Sequence, residues 1–291
     1  MSLLSFDDRD GEIWFNGKLV PWRDAKIHVL THGLHYGSCV FEGERVYNGE
    51  IFKLREHTER LFKSAEYMGF KIPYTMDQID AACRETVAAQ GFTDAYVRPV
   101  AWRGSEMMGV SAQDNRINVA IAVWEWPSYF DPEERARGIR LDISRWRRPS
   151  PETIPCFSKA AGLYMICTLS KHEAENKGYA DSLMFDYRGL IAEATGANIF
   201  FVKDDKLHTP TPDCFLDGIT RRSVIELAHR HKIEVIDRAI KPEEMADFEQ
   251  CFITGTAAEV TPVSEIGPYK FQTGRVTRTL MEDFDHLIRG K

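Results

Sequence analysis

The stretch from Glu193 to Arg221 sets the strictest demands on the fold of this chain. It opens with a carboxylate and small residues, continues through Asn198 into an apolar segment, and closes with Gly218 and Thr220 at a predicted helix start. Glycine lets the backbone approach a ligand closely, and the N–H groups at a helix start attract anions. The stretch therefore predicts a carboxylate beside a glycine turn and an anion site at the start of a helix.

Lys159 lies upstream of this stretch in small and apolar company. Residues 154–157 before it and 160–162 after it are mostly apolar or small, so we expect its ammonium group to be partly desolvated. Burial lowers the pKa of a lysine and makes the free amine available for imine formation.

Taken singly, Lys159 and Glu193 are each more often surface charges, and Gly218 with Thr220 is as often a plain turn and helix cap as an anion site. Taken together, they offer a lysine that can form a Schiff base, a carboxylate for a ring nitrogen and a site for a phosphate-sized anion. This combination indicates pyridoxal 5'-phosphate as the cofactor.

The composition argues against several other classes of protein. Hydrophobic residues make up 43% and charged residues 28% of the 291 residues, as in an ordinary globular protein, and the net charge of −7 argues against a nucleic-acid partner. Neither a signal-peptide pattern nor a membrane-spanning apolar run is found. The six cysteines are scattered without metal-ligand spacing, so we expect buried thiols, no metal and a cytoplasmic location.

The remaining sequence predicts a mixed α/β protein of the α+β type. Asn-Gly pairs at 16–17 and 48–49 predict hairpins over 13–20 and 45–54. Apolar spacing and β-rich runs predict helices over 55–68, 75–89, 162–177, 220–231 and 276–288, and strands over 95–101, 117–123, 139–143, 182–185, 198–202 and 232–236. Because strands and helices do not alternate strictly, mainly antiparallel sheets are favoured over a doubly wound parallel sheet.

Two domains are predicted from the composition near residue 130. Two prolines, a charge cluster and a glycine without periodicity at 124–138 are typical of a linker, which we place at 128–137. We therefore expect a small N-terminal α/β domain over 1–127 and a larger, pyridoxal-phosphate-binding C-terminal domain over 138–291.

These pieces together resemble the class-IV aminotransferases, which are pyridoxal-phosphate enzymes of fold type IV, and among them the branched-chain amino-acid aminotransferases. The resemblance rests on residues 193–221 and extends through 13–17, 35–43, 55–61 and 255–262. It implies a two-domain architecture with a cofactor site between the domains. The implied reaction is transamination of the branched-chain L-amino acids leucine, isoleucine and valine with 2-oxoglutarate or L-glutamate, through a Schiff base on Lys159.

The resemblance also implies a set of cofactor-binding residues. Lys159 would hold the cofactor and shuttle the proton during catalysis, Tyr164 would hydrogen-bond the phenolic oxygen of the ring, and Glu193 would pair with the ring nitrogen. The other residues implied to hold the cofactor and its phosphate are Arg60, Gly196, Leu216, Gly218, Ile219, Thr220 and Thr256.

A second implied set binds the amino acids and 2-oxo acids. Tyr96 and the backbone of Thr256 and Ala257 would take the α-carboxylate, and Arg98 would meet the second carboxylate of glutamate. The pocket for the substrate side chain would be lined by Tyr36, Phe41, Val110 and Tyr129. A homodimer or higher homo-oligomer is implied as well, with some of these residues contributed across the subunit interface.

Several alternatives share this fold: a D-amino-acid aminotransferase, an (R)-selective amine transaminase and aminodeoxychorismate lyase. A D-amino-acid aminotransferase usually carries an Arg-x-His motif, whereas this chain has Val100 two positions after Arg98. The sequence therefore favours that alternative less. A protein that binds pyridoxal phosphate without catalysing turnover is the alternative from a different class.

Overall fold

The computed structural model describes residues 5–126, 130 and 132–290. The chain divides into two compact units, of which the first comprises Met1–Pro127 with Ser158–Gly162 and the second Ser128–Phe157 with Leu163–Lys291. The segment around Lys159 thus belongs to the first unit, although the sequence placed it in the C-terminal domain.

The first unit is built on a seven-stranded antiparallel sheet among its described residues. Its elements are β1 (Glu12–Phe15), β2 (Lys18–Pro21), α1 (His32–Tyr36), β3 (Cys39–Phe41), β4 (Glu44–Tyr47), β5 (Glu50–Ile51), α2 (Leu54–Tyr67), α3 (Met76–Gln90), β6 (Ala95–Arg103) and β7 (Ile117–Glu125), with a 3₁₀ turn at Trp22–Asp24. The strand order is β2-β1-β7-β6-β4-β5, and β3 also pairs with β6. Helix α3 packs on β1, β6 and β7, and α2 packs on α3.

Local sequence signals account for the edges of these elements. Asn16 and Gly17 both have positive φ, as a tight turn between β1 and β2 requires, and Asn48 and Gly49 do the same between β4 and β5. Helix α3 begins at a capping box in which the Thr75 and Gln78 side chains bond reciprocally to each other's backbone N–H groups. Both predicted hairpins and the capping box are confirmed.

The second unit contains a nine-stranded mixed sheet and four helices among its described residues. Its elements are α4 (Pro132–Arg137), β8 (Ile139–Arg148), α5 (Met165–Asn176), β9 (Asp181–Asp186), β10 (Ile191–Ala194), β11 (Asn198–Lys203), β12 (Lys206–Pro210), α6 (Ile219–Arg230), β13 (Val235–Arg238), β14 (Gln250–Gly255), β15 (Glu259–Ile266), β16 (Tyr269–Lys270) and α7 (Arg275–Arg289), with 3₁₀ turns at Ala161–Tyr164 and Pro242–Asp247.

This second sheet closes on itself. Strands run in the order β10-β9-β8-β15-β14-β11, and β10 pairs again with β11 through the single residue pair Glu193 and Asn198. Only the β8–β9, β8–β15 and β12–β13 pairings are parallel among the described strands. The prediction of an α/β protein with mainly antiparallel sheets is therefore confirmed, and the closing pair falls inside the stretch singled out by the sequence.

The structure differs from two local expectations. Part of the segment predicted as a linker forms helix α4, and the strand predicted over 232–236 begins only at Val235. The reason for the second difference is that Lys232 adopts a positive φ just after α6, which delays the extended backbone.

Buried apolar side chains from the closed sheet form the core of the second unit, among them Leu141, Ile199 and Val263. All six cysteines are unpaired, and all are buried except Cys39, which is partly exposed. No helix among the described residues has both the length and the apolar character needed to cross a lipid bilayer.

Buried charged side chains are usually paired with a group of opposite charge. Glu44 on β4 is an exception. It is fully buried, and among the described residues neither of its carboxylate oxygens has a hydrogen-bond partner. Burial raises the pKa of Glu44 well above its usual value, and the charges of Glu42 and Asp80 raise it further. Because folding then requires Glu44 to take up a proton, this residue makes the fold less stable as the pH rises above the pKa that Glu44 has in the unfolded chain.

We expect Glu44→Gln to stabilise the protein more at about pH 8 than at about pH 5, because glutamine needs no proton uptake. The difference in the free energy of unfolding between the variant and the unmodified protein should grow by up to about 1.4 kcal/mol per pH unit. Urea unfolding of both proteins at the two pH values measures this difference. The other titrating groups are present in both proteins, so their contributions cancel in the comparison. An equal effect at both pH values would contradict a neutral Glu44.

Candidate active site

Lys159 is fixed to the first unit through its backbone. Its N–H donates to the hydroxyl of Ser64 on α2 over 2.9 Å, and its carbonyl accepts from the N–H of Phe41 on β3 over 3.1 Å. Ala160 forms an isolated β-bridge with Val40. The lysine is thus held between a strand and a helix of the first unit.

The amine of Lys159 has a lowered proton affinity. Burial, aided by the charge of Arg60, lowers the pKa of Lys159 to about 8, while Glu42 and Tyr96 act in the opposite direction. The Nζ atom lies 5.0 Å from the centre of the Phe41 ring. Since a lysine becomes a nucleophile only as the free amine, this environment suits Schiff-base formation near neutral pH.

Arg60 projects from α2 into a buried ion pair. Its Nε and Nη2 atoms donate to the two carboxylate oxygens of Glu42 over 2.7 and 2.8 Å. Glu42 is fully buried and is also bound by Nδ1 of His57 at 2.7 Å. No counterion for Arg60 is predicted from the sequence, whereas the structure shows this arginine oriented by a two-point ion pair.

Arg98 and Tyr96 lie side by side on β6. Nη2 of Arg98 donates to the Tyr96 hydroxyl over 3.3 Å, and its guanidinium lies 4.7 Å from the centre of the Phe41 ring. The described residues offer no hydrogen-bond partner to Nε of Arg98, although that atom is buried. A buried donor without an acceptor is costly, so this guanidinium is suited to receiving an anionic ligand.

Aromatic rings surround Tyr96. Its ring stacks on Trp124 at 5.1 Å and lies 4.9 Å from Trp126, measured between ring centres. Gly43 faces the Tyr96 hydroxyl so closely that any side chain there would collide with it. The position of this phenol is therefore set by its neighbours on several sides.

In the second unit, Glu193 occupies the pair that closes the sheet. Its Oε1 lies 3.2 Å from Nε of Arg148, and its Oε2 accepts from Nδ2 of Asn198 over 3.3 Å. Both Glu193 and Arg148 are buried. The arginine supplies the counter-charge that a buried carboxylate requires.

Asn198 joins this carboxylate to the start of α6. Its Nδ2 also donates to the carbonyl of Leu216 over 2.9 Å, and its Oδ1 accepts from the N–H of Gly218 over 3.1 Å. A side chain on Gly218 would collide with Oδ1 of Asn198. One buried amide thus sets the separation between a carboxylate and a helix N-terminus.

The N-terminus of α6 has no side-chain cap, and its first residues Ile219 and Thr220 are buried. Uncapped N–H groups and the helix dipole favour an anion at such a position. Arg221 holds the helix in place by donating to Asp217 over 2.8 Å and to Asp237 over 2.6 Å.

The turn that carries Thr256 and Ala257 connects β14 to β15. Gly255 before it packs against the backbone of Gly196 and against Ala197. Glu259 after it adopts a positive φ and pairs with Arg135 at 3.3 Å. The turn is therefore anchored at both ends.

A profile of the family described as "Amino-transferase class IV" matches residues 39–266. The chain belongs to this family. It is 46% identical over 282 residues, or 96% of each chain, to a protein of Rickettsia bellii (strain RML369-C) named as a probable branched-chain-amino-acid aminotransferase.

Two solved structures have the same fold. The Escherichia coli branched-chain amino acid aminotransferase has a TM-score of 0.93 at 37% identity, with 97% of this chain and 96% of that chain covered. The T.th. branched-chain amino acid aminotransferase complexed with N-(5'-phosphopyridoxyl)-L-glutamate has a TM-score of 0.92 at 36% identity, with 97% and 95% covered.

The structure of this class IV aminotransferase places the residues predicted from sequence in groups. The first unit brings Lys159, Arg60, Phe41, Tyr96 and Arg98 together, as described above. In the second unit the described contacts join only some of the predicted residues, namely Glu193, Leu216 and Gly218. Tyr129 lies outside the described residues.

Tyr36 and Val110 stand apart from these groups, being 46% and 87% exposed. His32 joins Tyr36 to the residue before Val110, because its ring stacks on Tyr36 at 4.6 Å and its Nε2 lies 2.9 Å from the carbonyl oxygen of Gly109.

Sequence reasoning missed four residues of these groups: Glu42, His57, Arg148 and Trp124. Glu42 and His57 lie within motifs that carried the family resemblance, so an acidic residue next to Phe41 was a usable signal. Arg148 and Trp124 lie at strand ends and carried no local signal.

We expect Asn198→Leu to lower the free energy of unfolding by roughly 2–4 kcal/mol, because the partly buried N–H of Gly218 and carbonyl of Leu216 lose their partner. Urea unfolding measures the loss, and Asn176→Leu, the same change at an exposed position of the second unit, is the control. Equal stability of the two variants would show that the Asn198 bonds do not hold α6 in place.

Proposed function

We propose that the protein transfers the amino group of leucine, isoleucine and valine to 2-oxoglutarate, reversibly, with pyridoxal 5'-phosphate as cofactor and L-glutamate as the partner amino acid. The names of the relatives support the branched-chain substrates. The T.th. complex with N-(5'-phosphopyridoxyl)-L-glutamate supports both the cofactor and glutamate. The observation that carries the proposal is the placement of Lys159, whose backbone is held by Ser64 and Phe41, whose Nζ lies 5.0 Å from the centre of the Phe41 ring, and whose pKa burial lowers to about 8.

The residues present fit this cofactor. Lys159 offers an amine for the Schiff base, Glu193 a buried carboxylate for the ring nitrogen, and α6 an N-terminus without a side-chain cap for the phosphate. In this proposal the remaining contacts to ring and phosphate come from Arg60, Tyr164, Gly196, Leu216, Gly218, Ile219, Thr220 and Thr256.

When bound, pyridoxal phosphate supplies an electron sink that allows the α-hydrogen of the amino acid to leave as a proton. Lys159 would take that proton from Cα on Nζ and deliver it to the cofactor carbon within the same half-reaction, and the other half-reaction would run the same transfers in reverse. Glu193, paired with Arg148, would keep the ring nitrogen protonated. Tyr96, Thr256 and Ala257 orient the α-carboxylate.

Arg98 serves the amino-group donor. Its guanidinium lies against the Phe41 ring and has a buried N–H without a partner among the described residues. In the proposal it binds the second carboxylate of glutamate, while Phe41 contacts the aliphatic side chain of leucine, isoleucine or valine.

The protein acts as a cytoplasmic homodimer in this proposal, and Tyr36, Val110 and Tyr129 complete the side-chain pocket. Exposed apolar side chains on the first unit support self-association, namely Val29, Leu34, Tyr36, Met107 and Val110. The unpaired cysteines are in keeping with a reducing compartment.

We expect Lys159→Ala to lose turnover of L-leucine by about 10⁴-fold or more, since one residue provides both the imine partner and the proton shuttle. The exposed Lys18→Ala is the control and should keep its rate. Turnover of Lys159→Ala close to that of the unmodified protein would refute the assignment.

Arg98→Ala should reduce kcat/KM for L-glutamate by about 10- to 100-fold, the value of a hydrogen-bonded charge, and that for L-leucine much less. Single-turnover half-reactions with each amino acid separate the two effects, and Arg84→Ala at an exposed position is the control. If both half-reactions fall equally, Arg98 serves the α-carboxylate or the fold.

A further inference from the structure

Glu42 is a buried carboxylate whose side-chain partners include the arginine assigned to the cofactor phosphate. It is fully buried, both of its oxygens accept from Arg60, and Oε2 is also bound by Nδ1 of His57. His57 is itself 1% exposed. In the proposed function neither Glu42 nor His57 binds substrate or cofactor. Both nevertheless belong to the group of side chains that holds Arg60, and Arg60 binds the cofactor phosphate.

The charges in this group are well defined. Burial by itself would raise the pKa of Glu42, but the charge and hydrogen bonds of Arg60 and the hydrogen bond of His57 hold it well below its usual range. Burial lowers the pKa of His57, so its neutral ring donates the Nδ1 proton to Glu42. The group is therefore an ionised carboxylate and a guanidinium, with a neutral imidazole behind the carboxylate.

The ion pair fixes the plane of the guanidinium. A planar guanidinium group that is bound at both Nε and Nη2 can no longer rotate. Glu42 therefore sets the direction of the other N–H groups of Arg60. The backbone of Glu42 is fixed as well, because its N–H donates to the carbonyl of Pro99 over 2.8 Å. The preceding residue, Phe41, binds the carbonyl of Lys159. Two consecutive residues thus hold the backbone of the Schiff-base lysine and the side chain of the arginine.

We propose that Glu42 is a positioning residue of the cofactor site: its carboxylate, held by His57, fixes Arg60 in the orientation in which that arginine binds the cofactor phosphate. This inference rests on the proposed function, in which Arg60 is a phosphate ligand. It acts on cofactor binding and requires no contact between Glu42 and the cofactor.

Glu44 provides a matched control two residues along the chain. Like Glu42 it is fully buried, but its carboxylate oxygens have no hydrogen-bond partner among the described residues. Glu→Gln at the two positions makes the same substitution at similarly buried sites, although Glu42 is ionised and Glu44 is neutral. Only the change at position 42 alters a bond to Arg60.

The test measures dissociation constants of the cofactor-free full-length protein for pyridoxal 5'-phosphate and for pyridoxal, which lacks the phosphate, by absorbance titration. Glu42→Gln should weaken binding of the phosphate ester by about 10- to 100-fold, the range seen when outer partners of a ligating residue are removed. Binding of pyridoxal should not change. Glu44→Gln should leave both constants as they are.

A double-mutant cycle shows whether Glu42 acts through Arg60. In an Arg60→Met background, Glu42→Gln should have no further effect on binding of the phosphate ester. If Glu42→Gln does not fold, His57→Leu replaces it, with His57→Asn as the conservative variant that keeps a donor for Glu42. His57→Leu should weaken binding of the phosphate ester and His57→Asn should restore it.

Each contrary result has a distinct meaning. Equal weakening of pyridoxal 5'-phosphate and pyridoxal, or no weakening of either, would overturn the positioning role of Glu42. If Arg60→Met leaves the preference for the phosphate ester intact, Arg60 is not a phosphate ligand, and both that part of the proposed function and this inference fail. If Arg60→Met abolishes the preference and Glu42→Gln does not alter it, only the inference fails.

Discussion

The second unit depends on the pairing of Glu193 with Asn198, because this single pair joins β10 to β11 and closes the sheet. The same two side chains hydrogen-bond to each other, and Asn198 continues to Leu216 and Gly218 at the start of α6. A carboxylate and a helix N-terminus are thereby held at a fixed separation. Their spacing follows from the closure of the sheet, so the fold itself builds these two parts of the site.

The first unit holds several charged groups close together in a largely buried environment. Lys159, Arg60 and Arg98 are all cationic types, and Glu42 is the buried carboxylate that compensates one of them. Burial, aided by the charges of Arg60 and Arg98, lowers the pKa of Lys159, and Nε of Arg98 is a buried donor without a partner among the described residues. Incomplete neutralisation thus favours both a free amine and an anionic ligand.

Much of this organisation could be predicted from the sequence, because it rests on local signals. The Asn-Gly hairpins, the Thr75 capping box and the 193–221 stretch all act within short segments of the chain. Placement of Lys159 in the first unit, the role of Arg148 and closure of the sheet depend on contacts between distant segments. For Lys159, the neighbours in sequence correctly indicated burial and a lowered pKa, whereas the further contribution from the charge of Arg60 depends on a distant segment. Periodicity carries no information about such contacts.

The central claim is that Lys159 forms the Schiff base with pyridoxal 5'-phosphate. Reduction of the cofactor-loaded protein with borohydride, followed by proteolysis and mass spectrometry, makes that bond permanent and locates it. We predict a phosphopyridoxyl group on Lys159 and on no other lysine, and its loss when L-glutamate is added before reduction. Labelling of a different lysine, or no labelling at all, would contradict the claim.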